Sequence, residues 1–285
     1  MQSGSVSGVD NDQSDQFCEF LSSEWRGIRP HSYRVPNSGK SAAWSRTLDP
    51  MGRWSAKGLQ DAMLKYSWNG RDYASNEDEL KKHGEELRSA IKRSSNSDVC
   101  EVARDVMRWG GVDNVHRQKG TFTWIDENSQ SICQKLSDAV DLIKDEKAPL
   151  ERFDGIDLIM NSAMTKIVSL SDPEERLVIY DSRVAAALGF FLAKFAEESM
   201  DGSRKISDQL RFAVAGELRR KPYTNRVRFP PLFGKGKDRC HAAMMRIASQ
   251  LIAQVSKGCE ASPRQIEAAL FMWGYDVLGD ARSRS

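Results

Sequence analysis

The sequence lacks the long apolar runs, paired cysteines and clustered histidines that mark several large classes of protein. No stretch approaches the roughly 20 apolar residues of a transmembrane helix, and the N-terminus has no basic region followed by an apolar one, as a signal peptide would. The five cysteines and four histidines are scattered, and no two cysteines form a CxxC pair. These absences argue against a membrane protein, a disulfide framework and a structural zinc site. We expect a cytoplasmic protein without a metal or other cofactor.

Charge is nearly balanced over the whole chain but not along it. The formal net charge is +2, whereas residues 204–246 contain twelve Lys and Arg against three acids, a local net charge of +9. Prolines and glycines interrupt this segment, which favours an exposed loop over a helix. Such a segment either binds a polyanion such as DNA or RNA, or is an ordinary solvated surface. The residues that would contact a nucleic-acid backbone are Arg219, Arg220, Lys221, Arg226, Arg228, Lys235, Lys237 and Arg239.

Apolar residues at helical spacing predict an all-α fold with at most a minor strand element. Residues 1–16 have almost nothing to bury and are expected to form a disordered leader, followed by a single bipartite helical unit over residues 17–285. Only two short segments, 121–125 (TFTWI) and 177–180 (LVIY), resemble strands. The predicted helices include one that starts at Asn76, one that starts at Ser97 or Asp98, and five over residues 129–144, 155–170, 182–198, 238–257 and 262–277.

Two polar residues within this helical pattern are candidates for chemistry. Lys166 falls at the edge of the apolar stripe of helix 155–170, where its stem can be buried while its amine faces a cleft. Asp181 directly precedes helix 182–198 and is well placed as its N-cap. Each residue also has an ordinary explanation, since aspartate is a common N-cap and a lysine at the edge of a stripe is unremarkable.

A lysine and a carboxylate together supply the groups needed to act on C1′ of a nucleoside. The neutral amine displaces the base and forms a Schiff base, from which β-elimination cleaves the strand. The carboxylate stabilises the cationic sugar and helps the lysine to lose its proton. The lysine must be partly buried, because burial lowers its pKa from the ordinary value of about 10.4.

The residues T-K at 165–166, followed by D-S-R-V at 181–184, resemble the helix-hairpin-helix DNA glycosylase superfamily and, within it, the 8-oxoguanine DNA glycosylase branch. The chain is also similar, over about residues 64–277, to a bacterial family with this glycosylase-like fold, some of whose members accompany anti-phage defence genes. The resemblance implies that Lys166 is the Schiff-base nucleophile and Asp181 its carboxylate partner. The segments that carry it are 66–69 (YSWN), 109–112 (WGGV), 160–162 (MNS), 179–188 (IYDSRVAAAL) and 267–275 (EAALFMWGY).

Three residues near the pair are candidate substrate ligands. Asn161 would hold a substrate oxygen or else satisfy a backbone group. Arg183 would bind a phosphate at a helix N-terminus or else pair with the acidic run 172–175. Trp109 would stack on a flipped base or else belong to the core. We assign no role to His241 from the sequence.

Two hypotheses of different classes follow. The first is a DNA glycosylase/lyase-like enzyme that excises a modified purine, and the Lys166–Asp181 pair favours it. The second is a catalytically silent glycosylase-like module that binds a modified base, a nucleotide or a protein partner in a defence system. The superfamily hairpin carries a glycine-rich turn before its lysine, whose amides hold a DNA phosphate. Residues 157–164 contain no glycine, which favours the second hypothesis.

Overall fold

The computed structural model describes residues 7–112, 119–201, 205–222 and 224–279. Within these ranges the chain forms α-helices and one two-stranded antiparallel sheet, which confirms the predicted all-α class with a minor strand element. No helix in these ranges has the length and apolarity needed to cross a membrane. The helices are α1 (Ser7–Arg26), α2 (Ala42–Ser45), α3 (Leu59–Leu64), α4 (Tyr73–Lys92), α5 (Asn96–Trp109), α6 (Lys119–Glu127), α7 (Ile132–Lys144), α8 (Met164–Ser171), α9 (Ser182–Glu198), α10 (Asp238–Cys259) and α11 (Pro263–Trp273).

The sheet does not lie where the sequence predicted strands. It pairs β1 (His31–Arg34) with β2 (Arg53–Ala56), with Tyr33 opposite Trp54. Segment 121–125 belongs instead to α6, because its buried residues Thr121, Trp124 and Ile125 follow the i, i+3, i+4 spacing of a helix face. Segment 177–180 forms neither a helix nor a strand, and it pairs with no strand in the part of the chain that the structure describes.

The start of the chain also differs from the prediction. Residues 1–6 lie outside the described residues, whereas residues 7–16 of the predicted leader belong to α1. The helix is anchored at this end by a polar residue, since Gln13 donates to the carbonyl of Lys205 and accepts from the amide of Ser207. A hydropathy pattern does not reveal an anchor of this kind, because it registers only apolar burial.

The chain divides into two compact units. The first comprises Met1–Tyr73, Ser182–Pro231 and Gln250–Ser285, and the second comprises Ala74–Asp181 and Leu232–Ser249. Three boundaries lie on the C-terminal side of the lysine. One falls between Asp181 and the first residue of α9, one falls between Pro231 and Leu232, and one falls within α10. Lys166, Asp181 and His241 therefore all belong to the second unit.

The first unit has an aromatic core. Tyr33 stacks on Trp54 with ring centroids 4.7 Å apart, and His31 stacks on Trp273 at 4.5 Å. The hydroxyl of Tyr33 donates to the carbonyl of Met272 at 2.7 Å, which satisfies its polar end within the core. Ser262 caps α11 in a capping box with Gln265.

The second unit is built around α8, which packs against α5 and α7. All eight residues of α8 are buried, so this helix is enclosed on every side rather than amphipathic. It ends at the buried Asp172, whose carboxylate accepts from the backbone amides of Glu174, Arg176 and Leu177 and pairs with Lys144 at 3.2 Å. This turn fixes the direction of the segment that leads to Asp181.

Candidate functional site

The helix that carries Lys166 is shorter than predicted. The prediction of helix 155–170 is wrong in its first half, because α8 begins only at Met164. Gly155 has a φ of 87°, and the side chain of Asp154 accepts from the amides of Ile156 and Asp157, so a turn replaces the helix here. Ile156, which belongs to the apolar stripe in the sequence, is 81% exposed.

Asn161 lies before α8 and caps its N-terminus. Its side-chain oxygen accepts from the amides of Ala163 and Met164 at 2.9 and 3.1 Å. Its amide nitrogen donates to the hydroxyl of Thr121 at 2.9 Å. The asparagine thus binds amides at the start of the lysine helix, the kind of groups with which a glycine-rich hairpin would hold a phosphate. A contact between Asn161 and a substrate stays a prediction.

Lys166 is the third residue of α8 and is only 7% exposed. Its amine Nζ donates to the carbonyl oxygen of Ser162 at 2.8 Å. Its stem runs against Gly110, where α5 ends. A Cβ atom placed on Gly110 would lie 2.7 Å from Cδ and 2.8 Å from Cε of the lysine. The lysine is therefore enclosed and held in place, unlike an ordinary surface lysine.

Trp109 occupies a core position at the end of α5. It is buried, and its indole N–H donates to the side-chain oxygen of the buried Asn76 at 3.0 Å. This hydrogen bond satisfies the one polar group of the indole ring. Stacking on a flipped base, which the sequence offered as one role, would require the tryptophan to leave this position. Its contribution to the site is to end α5 next to Gly110 and so to Lys166.

Asp181 and His241 belong to the same unit as Lys166. Asp181 is 9% exposed and follows Tyr180, whose carbonyl oxygen is 2.8 Å from Nε2 of His241. A carbonyl only accepts, so Nε2 carries the hydrogen and donates it. Burial lowers the pKa of His241 to about 4; the hydrogen bond to Tyr180 and the charge of Asp181 oppose this shift, and the charge of Lys166 adds to it. Both charges act on the imidazole, so Lys166 and Asp181 each lie within electrostatic reach of His241.

Arg183 has a different environment from the one expected. It lies in the first unit, where its guanidinium carbon is 4.2 Å from the ring centroid of Phe271, 4.8 Å from Tyr275 and 5.2 Å from Trp68. The cation is thus stacked among aromatic rings. The two predicted roles of Arg183, as a phosphate ligand or as a partner of the acidic run, stay predictions.

The predicted nucleic-acid residues fall into two groups by their contacts. Four of them are engaged within the protein. Arg219 lies over the ring of Tyr275, Arg220 donates to the hydroxyl of Ser182, Arg226 donates to the carbonyls of Met200 and Asp201, and Arg239 pairs with Glu151. The other four make no ion pair with any described residue, and they are Lys221 and Arg228 in the first unit and Lys235 and Lys237 in the second.

A pocket with a volume of about 530 Å³ lies beside the start of the lysine helix in the second unit. Asn161 and Trp124 line it, together with the acidic side chains Glu127 and Asp238. Lys166 and Asp181 do not line it, so we do not assign it to the chemistry of the pair. Across the described ranges, no group of three His, Cys, Asp or Glu side chains is arranged to hold a metal ion.

No family model, curated protein or solved structure matches this chain. The glycosylase resemblance therefore stays a prediction from the motifs quoted above. The geometry of the second unit has to be judged on its own residues, chiefly Lys166, Asp181 and His241.

Proposed function

We propose that the protein is a DNA glycosylase/lyase-like enzyme that excises a modified purine through a Schiff base on Lys166. One observation carries the proposal. An enclosed lysine amine, held on the carbonyl of Ser162, and the largely buried carboxylate of Asp181 both act through their charges on the buried imidazole of His241. Buried lysines are rare in proteins because removing the ammonium group from water is costly. Burial favours the neutral amine, which is the form of lysine that reacts as a nucleophile.

The proposed reaction assigns one task to each member of the pair. Asp181 accepts a proton from the lysine ammonium and gives it to the departing base, so that its carboxylate then faces the positive charge on the sugar. The neutral amine of Lys166 forms a bond to C1′ as the bond from C1′ to the base breaks, and the base leaves with that electron pair and takes up a proton. The bond between C1′ and O4′ then breaks, O4′ takes up a proton from the attached nitrogen, and an iminium ion forms. Loss of a proton from C2′ then drives β-elimination, which breaks the bond between C3′ and its phosphate oxygen.

Access to C1′ requires that the damaged nucleotide leave the stack. The DNA backbone would then be bound by Lys221, Arg228, Lys235 and Lys237, because these four residues make no ion pair with any described acidic residue. These contacts would be independent of sequence, because phosphates carry no base identity. The purine itself would be recognised by groups close to the pair, which the motifs alone do not identify.

Borohydride trapping tests the proposal directly. The protein is incubated with duplexes that contain 8-oxoguanine or an abasic site, and a covalent adduct is sought after reduction. We expect an adduct with the wild type and none with Lys166→Gln. Lys135→Gln is the matched control, because this half-buried lysine of the same unit is paired with Asp157. An adduct that persists in Lys166→Gln would remove this lysine from its role.

A second candidate function is supported by the start of α8. The Asn161 side chain accepts hydrogen bonds from two backbone amides there, whereas in a glycine-rich hairpin such amides bind a phosphate. Residues 157–164 contain no glycine. A glycosylase-like module that binds a modified base, a nucleotide or a protein partner without chemistry would have no need of that phosphate contact. The same experiment separates the two, since the silent module would bind damaged DNA in a gel-shift assay and give no adduct.

A further inference from the structure

His241 connects α10 to the segment that ends at Asp181. The histidine is 1% exposed and lies on α10, and its Nε2–H donates to the carbonyl of Tyr180, one residue before the aspartate. The Tyr180 ring, itself fully buried, meets the imidazole edge-on with centroids 5.8 Å apart. The chain cannot shift at Tyr180 without breaking this hydrogen bond inside the core.

The same helix holds the segment at a second point. Ser249, eight residues after His241, accepts from the amide of Val178 at 3.1 Å and donates to the carbonyl of Met245 at 2.7 Å. Two α10 side chains thus bind alternate residues of one segment, and they do so through backbone atoms. Of the two, His241 acts next to the aspartate, and the charges of Lys166 and Asp181 influence its imidazole.

A role as the base that deprotonates Lys166 does not suit this histidine. Burial lowers its pKa to about 4, so the imidazole holds a proton far too weakly to take one from an ammonium group. Nε2 is also committed to the Tyr180 carbonyl. His241 therefore contributes through geometry, because its hydrogen bond fixes the backbone next to Asp181. Its low pKa keeps the imidazole neutral near pH 7, so it adds no positive charge to that of Lys166.

We propose that His241 is a positioning residue, which places the Asp181 carboxylate relative to the Lys166 amine through its hydrogen bond to Tyr180. This inference rests on the proposed function for its consequence in catalysis, but the geometry that it describes can be tested without DNA. The matched variants are His241→Gln, whose amide nitrogen reaches as far as Nε2 and keeps a donor, and His241→Leu, which removes the donor. Ser249→Ala is the control for removal of a buried hydrogen bond to the same segment.

The first measurement is the accessibility of Lys166 to a small aldehyde. Each variant is treated with formaldehyde and cyanoborohydride, and the modification of Lys166 is followed by peptide mass spectrometry, with melting curves to verify folding. We expect His241→Leu to be modified several-fold faster than the wild type, because loss of the hydrogen bond frees the backbone at Tyr180, next to the Asp181 side chain, and loosens the surroundings of an imidazole on which the Lys166 charge acts. His241→Gln and Ser249→Ala should be modified at close to the wild-type rate. Equal rates for His241→Leu and the wild type would overturn the inference.

The second measurement is borohydride trapping at saturating damaged duplex. Because misplacing a catalytic group by about 1 Å can cost roughly a hundredfold in rate, we expect His241→Leu to form adduct at least about tenfold more slowly than the wild type, with unchanged DNA affinity. His241→Gln should restore most of the rate. Full trapping in His241→Leu would refute the positioning role and leave the proposed function intact. If the wild type forms no adduct, the proposed function fails, and the aldehyde experiment alone decides the role of His241.

Discussion

Gly110 and Lys166 are in such close contact that glycine alone fits opposite the lysine stem. A Cβ atom on Gly110 would lie 2.7 and 2.8 Å from Cδ and Cε of the lysine, well inside normal van der Waals distance. Gly110 has a φ of −69°, a conformation open to every residue type, so backbone strain does not explain the glycine. The glycine is explained instead by the space that the lysine side chain occupies.

Replacing this glycine should therefore disturb the lysine more than the fold. In Gly110→Ala the flexible lysine stem must move, and the hydrogen bond from Nζ to the Ser162 carbonyl is expected to lengthen or break. We expect formation of the trapped adduct to slow by about tenfold or more, while the melting temperature changes by only a few degrees. The measurements are borohydride trapping and differential scanning calorimetry.

Gly120→Ala is the matched control for this substitution. Gly120 lies in α6 of the same unit, and a Cβ atom there meets no other atom within 4 Å. Its replacement should leave trapping unchanged and raise stability slightly, since alanine favours a helix. If the two variants gave equal trapping, the contact between Gly110 and Lys166 would have no bearing on the chemistry.

The buried His241 should make stability depend on pH in a defined window. Its pKa is about 4 in the folded protein and about 6.5 in the unfolded chain. The unfolded state therefore binds more protons between these values, so stability is fully present above pH 6.5 and is lost as pH falls toward 4. The shift corresponds to roughly 3 kcal/mol. Urea unfolding at pH 7 and pH 4 should show a smaller decrease in stability for His241→Gln than for the wild type, by about that amount.

The turn after α8 supplies a prediction about stability alone. Asp172 is fully buried, accepts from three backbone amides and pairs with Lys144. Asp172→Asn removes the charge partner of that lysine and should cost about 3 kcal/mol or more in the free energy of unfolding. Glu174→Gln, which removes the exposed partner of the same lysine, should cost less than about 1 kcal/mol. Chemical denaturation compares the two, and equal costs would contradict the importance of burial here.

The sequence predicted the helical class and most helix positions because the spacing of apolar residues along the chain determines both. It failed where side-chain hydrogen bonds decide the local structure. Asp154 and Gly155 turn a stretch with a helical apolar pattern into a loop, and Gln13 anchors a helix in a stretch with no apolar pattern at all. Segment 121–125 has the composition of a strand but buried residues at helical spacing, and the spacing is the better guide because it reflects which side chains share a buried face.

The candidate site was partly accessible from the sequence. Lys166 and Asp181 stand out through a motif, and their place in the second unit follows from the turn at Asp172. His241 does not stand out, since a lone histidine in a basic stretch gives no sign that its partner is a backbone carbonyl 61 residues away along the chain. Arg183 belongs to the motif, but its aromatic neighbours come from distant segments, and spacing along the chain does not reveal them.

The surroundings of the basic residues divide them into a set available for phosphates and a set already engaged. If DNA is the ligand, Lys221→Gln with Arg228→Gln in the first unit, and Lys235→Gln with Lys237→Gln in the second, should each weaken binding. Removing one phosphate-binding cation lowers the slope of log affinity against log salt by about 0.9, so each pair of substitutions should reduce the slope by nearly 2. Arg226→Gln and Arg239→Gln serve as controls, because their guanidinium groups bind carbonyls and Glu151 within the protein. A salt titration by fluorescence anisotropy measures both sets, and equal slopes in all variants would exclude these four residues from DNA binding.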